Sequence, residues 1–415
     1  MIHTLTLSKQ IDRECYNQLY DTYKPLSRDD KYNPKKVHHE IKELSELGIT
    51  FDLQQFKFKD KKKQGDTECN KFFVFLRLNP SKVLGGTCLS VFQPAHYEQL
   101  KTAYNELTSW LFGECFTVLC DLENWKLRRC DYCVQLSVID APRYIKLMQR
   151  GGMPRRGRFF IKRDAKKLKQ GHRAKDYQAY QEGSVYLTGG KLATETEPFK
   201  HGSYNVNFYD KQAQMKNDNK ECIDNEREPK YTAEQISAAE NILRLEIQCK
   251  PRKIDSTAQK RKIKKKSMES FLSLDIAQTL ITKIYKDIAG EGCYRKKRDA
   301  IKRINQSTHN KNVRGRLICL LDEMTGNGGQ GQSLWKLRSR VEDNKNSRCM
   351  FDSDVKKLAA LDINAVPLQD NYKLRELPNL LPAIQQYFDD LDTPFSDDFE
   401  SVDDLDTDDL FSDEE

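Results

Sequence analysis

No stretch of this chain approaches the ~18 consecutive apolar residues of a membrane-spanning helix. The opening MIHTLTLSKQ alternates polar and apolar residues and lacks the apolar centre of a signal peptide, so a cytoplasmic protein with no membrane partner is expected. The twelve cysteines are scattered over 415 residues without the dense spacing of a disulfide framework, which points to reduced thiols. One pair, Cys130 and Cys133 in CDYC, invites a zinc reading. No second CxxC stands at finger spacing, however, and on a strand the odd offset sends the two thiols to opposite faces. Histidine is scarce: of seven, only His38 and His39 are close neighbours, and no His-x-His triplet aims two imidazoles from one strand face. The GNGGQGQ stretch near Gly326 has no following Lys-Ser/Thr, so it is a loop and no nucleotide-driven motor is expected. No internal repeat is present.

Basic residues vanish from the end of the chain. Residues 389–415 hold fourteen Asp and Glu and no Lys or Arg, so the overall net charge of +8 leaves +22 on the first 388 residues. A body that basic seeks a polyanion, and nucleic acid is the commonest one. An anionic membrane is the rival, but no basic amphipathic helix with a bulky apolar face stands out. The tail itself reads as a disordered, solvated segment. Two sharper roles for it are competition with DNA for the basic body and recruitment of a host factor. LDTPF at residues 391–395 resembles the acidic tip of single-strand-binding proteins, although here it is internal.

The first 255 residues read as a sheet-based domain. Strands are expected at 1–7, 51–58, 72–78, 127–139, 184–187, 204–209 and 242–250, and helices at 37–47, 93–112, 142–149 and 233–239. The charged turn KDKKKQGD separates the second and third strands, and 218–231 reads as a polar surface excursion. Between residues 150 and 175 the chain carries eleven Lys or Arg against one Asp, opening as a loop at Gly151, Gly152 and Pro154. Its Arg155, Arg156, Arg158, Lys162 and Arg163, interleaved with Phe159 and Phe160, suit phosphates and unpaired bases. A solvated loop is the plainer alternative. A basic linker is expected at 256–267, then a helical region at 268–388 with helices at 268–289, 296–304 and 355–361, and the acidic tail from 389. The fold class is therefore α+β, with an antiparallel sheet.

Three strands share a pattern. In 127–139, Cys130, Tyr132, Val134 and Leu136 face one way, while Arg129, Asp131, Cys133 and Gln135 face the other. In 204–211, Tyr204, Val206 and Phe208 oppose Asn205, Asn207, Tyr209 and Lys211. In 243–250, Leu243, Leu245 and Ile247 oppose Arg244, Glu246 and Gln248. A solvated sheet face is the plain explanation, with Asp131 and Glu246 in salt bridges to Arg129 and Arg244. The residue types allow another. Asp131 and Glu246 are hard oxygen ligands of the kind that hold Mg²⁺ or Mn²⁺, and Tyr209 is an oxygen nucleophile with a cation two positions away. Phosphoryl transfer needs such parts. A free tyrosine titrates near ~10, so a metal or Lys211 has to favour its phenolate. Tyr204 reads as core, and Tyr186 is the second nucleophile candidate.

These residues carry a resemblance to the gene II/X replication proteins of filamentous phages and related plasmids, and more distantly to the Rep-trans plasmid initiators. NPSKVLGG at residues 79–86 resembles the family's Pro-x-Lys-Val-Leu-x-Gly segment. Residues 129–131 resemble its Arg-Ile-Asp strand, with Cys130 in the middle. Residues 209–211 resemble its Tyr-x-Lys motif, and 244–246 its Arg-aromatic-Glu strand, with Leu245 in the aromatic place. The four stretches occur in the family's order within residues 1–250, and a weaker likeness runs on to about 368.

The resemblance implies a catalytic domain akin to the rolling-circle Rep/HUH endonucleases. Tyr209 would attack the DNA backbone, Asp131 and Glu246 would help bind Mg²⁺ or Mn²⁺, and Lys211 would support the scissile phosphate. Arg129 and Arg244 join the DNA-binding candidates. The chain departs from the wider group in lacking its His-hydrophobic-His strand, which leaves the other metal ligands undefined. The implied function is a rolling-circle initiator in a bacterial host cell, nicking one strand at a replication origin and rejoining strands at termination. Single- and double-stranded DNA would be its partners, with host helicase, polymerase or single-strand-binding protein. A conjugative relaxase and a non-catalytic DNA-binding regulator are the alternatives.

Overall fold

The computed structural model describes residues 1–23, 36–39, 45, 47–59, 68–112, 119–154, 158–159, 184–189, 203–326 and 332–392. The chain is α+β. Among the described residues nine strands form one sheet: β1 (Ile2–Ile11), β2 (Lys36–His39), β3 (Ile49–Lys59), β4 (Glu68–Leu78), β5 (Lys126–Ser137), β6 (Arg158–Phe159), β7 (Ser184–Gly189), β8 (Tyr204–Asp210) and β9 (Ile242–Cys249). Their order is β2-β3-β4-β1-β5-β9-β8-β7-β6, and every neighbouring pair is antiparallel.

Alternation explains the core. Leu5 and Leu7 of β1, Val74 and Leu76 of β4, Tyr132 and Val134 of β5, Val206 and Phe208 of β8, and Leu245 and Ile247 of β9 are all buried. Helices Pro251–Arg261, Leu274–Ala289 and Leu381–Asp392 pack on β5. The helix Leu274–Ala289 starts at Ser273, whose hydroxyl accepts from the Ile276 amide, and buries Ile276, Leu280, Ile281, Ile284 and Ile288 at helical spacing. Burying each such side chain is worth about 1.5–3 kcal/mol. Tyr132 ties the layers together, its hydroxyl donating to the Phe271 carbonyl at 2.9 Å.

Several expected elements differ. Residues 36–39 form a strand instead of the start of a helix, because their backbone pairs with the free edge of β3, His38 opposite Asp52. His38 and His39 thus lie in a strand. β8 ends at Asp210, whose carboxylate caps the helix Lys211–Asp224 by accepting from the Ala213 amide at 3.0 Å, so Lys211 opens a helix instead of closing a strand. Part of the expected polar excursion at 218–231 is therefore helical. The expected linker at 256–267 begins inside the helix Pro251–Arg261, which Lys262 ends in the left-handed conformation, φ +56°. The C-terminal region has further helices at Lys311–Thr325 and Leu334–Arg340, and the one expected at 355–361 spans Lys345–Ala360. The acidic tail does not start at 389, since residues 389–392 complete the helix Leu381–Asp392. The rest of that tail, the KDKKKQGD turn after Lys59, and most of 150–175 lie outside the described residues.

Candidate active site

The centre of the sheet's polar face is buried, and its flanks are partly exposed. Asp131, Arg244 and Glu246 are 1 %, 0 % and 4 % exposed; the helix Lys211–Asp224 packs on β8 and β9, and the chain that follows β4 reaches Arg244. The NPSKVLGG segment supplies the first cover. Asn79 caps the short helix Pro80–Val83. Beyond it, the Cys88 carbonyl accepts from Arg244 at 3.1 Å, and the Leu89 carbonyl accepts from Gln135. Gly86 is needed there, since a Cβ would come within 2.6 Å of the Ser81 carbonyl oxygen.

Strand register brings the expected residues together. Gln135 of β5 lies opposite Arg244 of β9, which lies opposite Tyr209 of β8; one step along, Cys133, Glu246 and Asn207 are aligned. Long side chains reach their diagonal neighbours on such a face. The Tyr209 hydroxyl donates to Oε2 of Glu246 at 3.5 Å. Nε2 of Gln248 donates to the other Glu246 oxygen at 2.8 Å.

His3 completes the cluster. β1 pairs with β5 through Ile2 opposite Tyr132 and Thr4 opposite Asp131, so His3 is an extra residue in a β-bulge. Regular alternation would have placed it with Leu5 and Leu7; the bulge turns it to the polar side, where its Nδ1 lies 3.7 Å from Oε2 of Glu246. One ligand atom each from His3, Asp131 and Glu246 lie within 4.8 Å of one another, and among the described residues no other group of three His, Cys, Asp or Glu does so. Cys130 and Cys133 are both buried in β5 and stand outside that cluster.

The donor set fits a hard divalent cation. The His3 side chain keeps 28 % of its surface exposed, and partial loss of water lowers its pKa although Glu246 pulls the other way, so at neutral pH the imidazole is in the ligating form. Burial raises the Asp131 pKa to about 7 against the pull of Arg129, so a further cation beside it would favour its charged form. For Glu246, burial is outweighed by His3, Gln248 and the nearby arginines, and its pKa lies below the usual carboxylate range. Oδ1 of Asn207, opposite Glu246, is buried with no hydrogen-bond partner, the kind of acceptor that a cation satisfies.

The salt bridges expected as plain alternatives are half present. Arg129 holds Asp131 with Nε at 2.7 Å and Nη2 at 2.6 Å. Arg244 does not pair with Glu246 but binds Gln135 through Nε at 2.8 Å. Tyr209 is 7 % exposed, and burial drives its pKa well above 10 despite the adjacent Arg244 guanidinium. The phenol therefore stays protonated until further positive charge arrives. Lys211 is buried too; its Nζ donates to Gln214 at 2.8 Å, and burial and Arg244 bring its pKa down to about 8.

A cleft of about 530 Å³ opens beside these groups. His3, Tyr209 and Lys211 line it, with Arg77, Lys82 and Tyr231, which sequence reasoning did not single out. Lys82 belongs to the NPSKVLGG motif, so its signal was in view; Tyr231 and Arg77 carry none. Of the other candidates, Arg155, Arg156, Lys162 and Arg163 lie outside the described residues, and Arg158 is described only through its backbone in β6. Tyr186 is paired with Asn207 in the β7–β8 register, its side chain outside the described set. Tyr204 is in the core.

No protein-family model, curated protein or solved structure matches this chain. Among the described residues no helix is long and apolar enough to cross a membrane.

Proposed function

We propose that this chain is a rolling-circle replication initiator that cleaves one DNA strand with Tyr209 and remains joined to the 5′ phosphate. The observation that carries the reading is the convergence of a tyrosine hydroxyl, 3.5 Å from Glu246, with a His3–Asp131–Glu246 donor cluster beside a cationic cleft. The resemblance to the gene II/X replication proteins and to the Rep/HUH sheet domain supports it through Asp131, Tyr209, Lys211 and Glu246, and the +22 charge of the first 388 residues suits a nucleic-acid substrate.

Mg²⁺ or Mn²⁺ held by His3, Asp131 and Glu246 would supply Lewis-acid polarisation of the scissile phosphate and favour the phenolate. Glu246 takes the proton from Tyr209. The phenolic oxygen forms a bond to phosphorus, the bond from phosphorus to the 3′ oxygen breaks, and the proton taken from Tyr209 passes by way of Glu246 to that oxygen, which leaves as a 3′ hydroxyl. Lys211, charged below about pH 8, offsets the charge on the phosphoryl oxygens. The bond energy is retained in the phosphotyrosine, so the reaction reverses to rejoin strands. Unwinding and extension fall to host helicase and polymerase, in the host cytoplasm. A conjugative relaxase would use the same chemistry.

The test is a denaturing gel of protein incubated with single-stranded and supercoiled DNA of its own replicon and Mn²⁺, beside Tyr209→Phe. An adduct lost in the variant supports the reading; an adduct that persists moves the nucleophile to Tyr186. A second reading, a DNA-binding regulator without chemistry, is favoured by the Arg129–Asp131 pair, which neutralises one carboxylate without any metal. Tight binding to that DNA with no adduct in any divalent metal would support it.

A further inference from the structure

The sheet leaves the C-terminal helices unexplained. Between residues 294 and 316 the chain carries nine Lys or Arg and a single acid, Asp299. This run folds as helix Lys297–Asn305, a turn at 306–310, and helix Lys311–Thr325, which pack on each other through buried Ala300, Ile304, Leu317 and Leu321. Asn310 caps the second helix, accepting from the Val313 amide at 3.0 Å. Arg314 donates to the Asn305 carbonyl at 2.9 Å, and Arg316 holds Asp354 of helix Lys345–Ala360 with Nε at 2.9 Å and Nη2 at 3.1 Å. These bonds tie the second helix to the end of the first and to helix Lys345–Ala360.

Three cations remain outside this internal pairing. Arg298 and Lys302, at i and i+4 on one face of the first helix, and Lys311, at the start of the second, are exposed, and none makes an ion pair or side-chain hydrogen bond with the described residues. Lys311, Asn312, Gly315 and Cys319 then form an exposed stripe along the second helix. Gly315 is the telling member. A glycine inside a helix destabilises it relative to alanine, and here a Cβ would meet nothing within 4 Å. The fold does not require it; close approach of an outside surface would.

We infer that residues 296–325 form a helix–turn–helix unit that docks on duplex DNA, with the first turns of helix Lys311–Thr325 entering the major groove. Arg298 and Lys302 contact the flanking phosphates, and Gly315 lets the helix backbone approach the groove wall. This surface is separate from the Tyr209 cleft and does not depend on the nicking reading.

The test uses the full chain without divalent metal, titrated into a labelled mixed-sequence duplex and into one of its single strands. The double variant Lys302→Glu/Lys311→Glu is exposed at both positions; the change at 311, in a first helical turn, suits the helix dipole, the one at 302, in a last turn, opposes it weakly, and a thermal melt of the variant checks its fold. Its duplex affinity should fall about tenfold or more with a shallower salt dependence, while single-strand affinity holds. Gly315→Ala should melt no lower than the parent yet bind duplex more weakly. Unchanged duplex affinity in both variants overturns the inference. So does an equal loss on duplex and single strand. Adduct formation on single-stranded origin DNA reports on the Tyr209 cleft separately, and both variants should retain it.

Discussion

His3 Nδ1 lies 3.7 Å from Oε2 of Glu246, joining the first strand of the chain to a strand that pairs two places away in the sheet. The contact exists only because β1 bulges between Ile2 and Thr4. If this cluster is a metal site, His3→Ala should weaken Mn²⁺ binding by about tenfold or more, read by calorimetry, with little change in fold because the ring is partly exposed. Unchanged affinity would remove His3 from the ligand set.

Asp131 has two partners to choose between. In Asp131→Asn the bidentate pair with Arg129 is lost together with a carboxylate donor. Arg129→Gln removes only the first. We expect Arg129→Gln to keep adduct formation and Asp131→Asn to lose it. Equal loss in both would mean that the ion pair, and not metal binding, is what the site needs.

Lys211 makes the reaction pH-dependent. Its pKa falls from 10.5 to about 8 in the fold, so the neutral form is the one the fold favours. Stability from this group is therefore fully present above 10.5 and is lost as pH falls through about 8, while the positive charge useful to the phosphate is present below about 8. Cleavage rates should decline as pH rises through 8. Lys211→Arg, charged throughout, should hold its rate to higher pH. An identical alkaline limb in that variant would assign it to another group.

Arg244 is a fully buried cation that leans on Gln135. Gln135→Leu keeps the volume but removes that acceptor, leaving only the Cys88 carbonyl. The expected cost is about 2–3 kcal/mol, measured by urea denaturation. A cost near zero would show that the guanidinium is satisfied elsewhere.

Much of the sheet was legible because alternation is a local property. The parity of Asp131, Tyr209 and Glu246 follows from period-two geometry within each strand, and strand pairing then set these groups on one face. Residues 36–39 were not legible as a strand, because a four-residue strand at a sheet edge has too little pattern of its own; pairing with β3 decides it. Lys211 has the parity of a strand residue, but the Asp210 side chain before it caps a helix that starts there.

The amino-acid order by itself determined which residues could share a polar strand face, the cationic character of the body and the acidic character of its end. Tertiary structure alone decided that the centre of this face is buried and that His3 joins it. Burial came from the chain after β4 and the helix Lys211–Asp224 folding over the sheet, and His3 turned inward because one extra residue in β1 must be accommodated against β5. Both depend on partners distant in the chain, and a period of two within a strand carries no information about them.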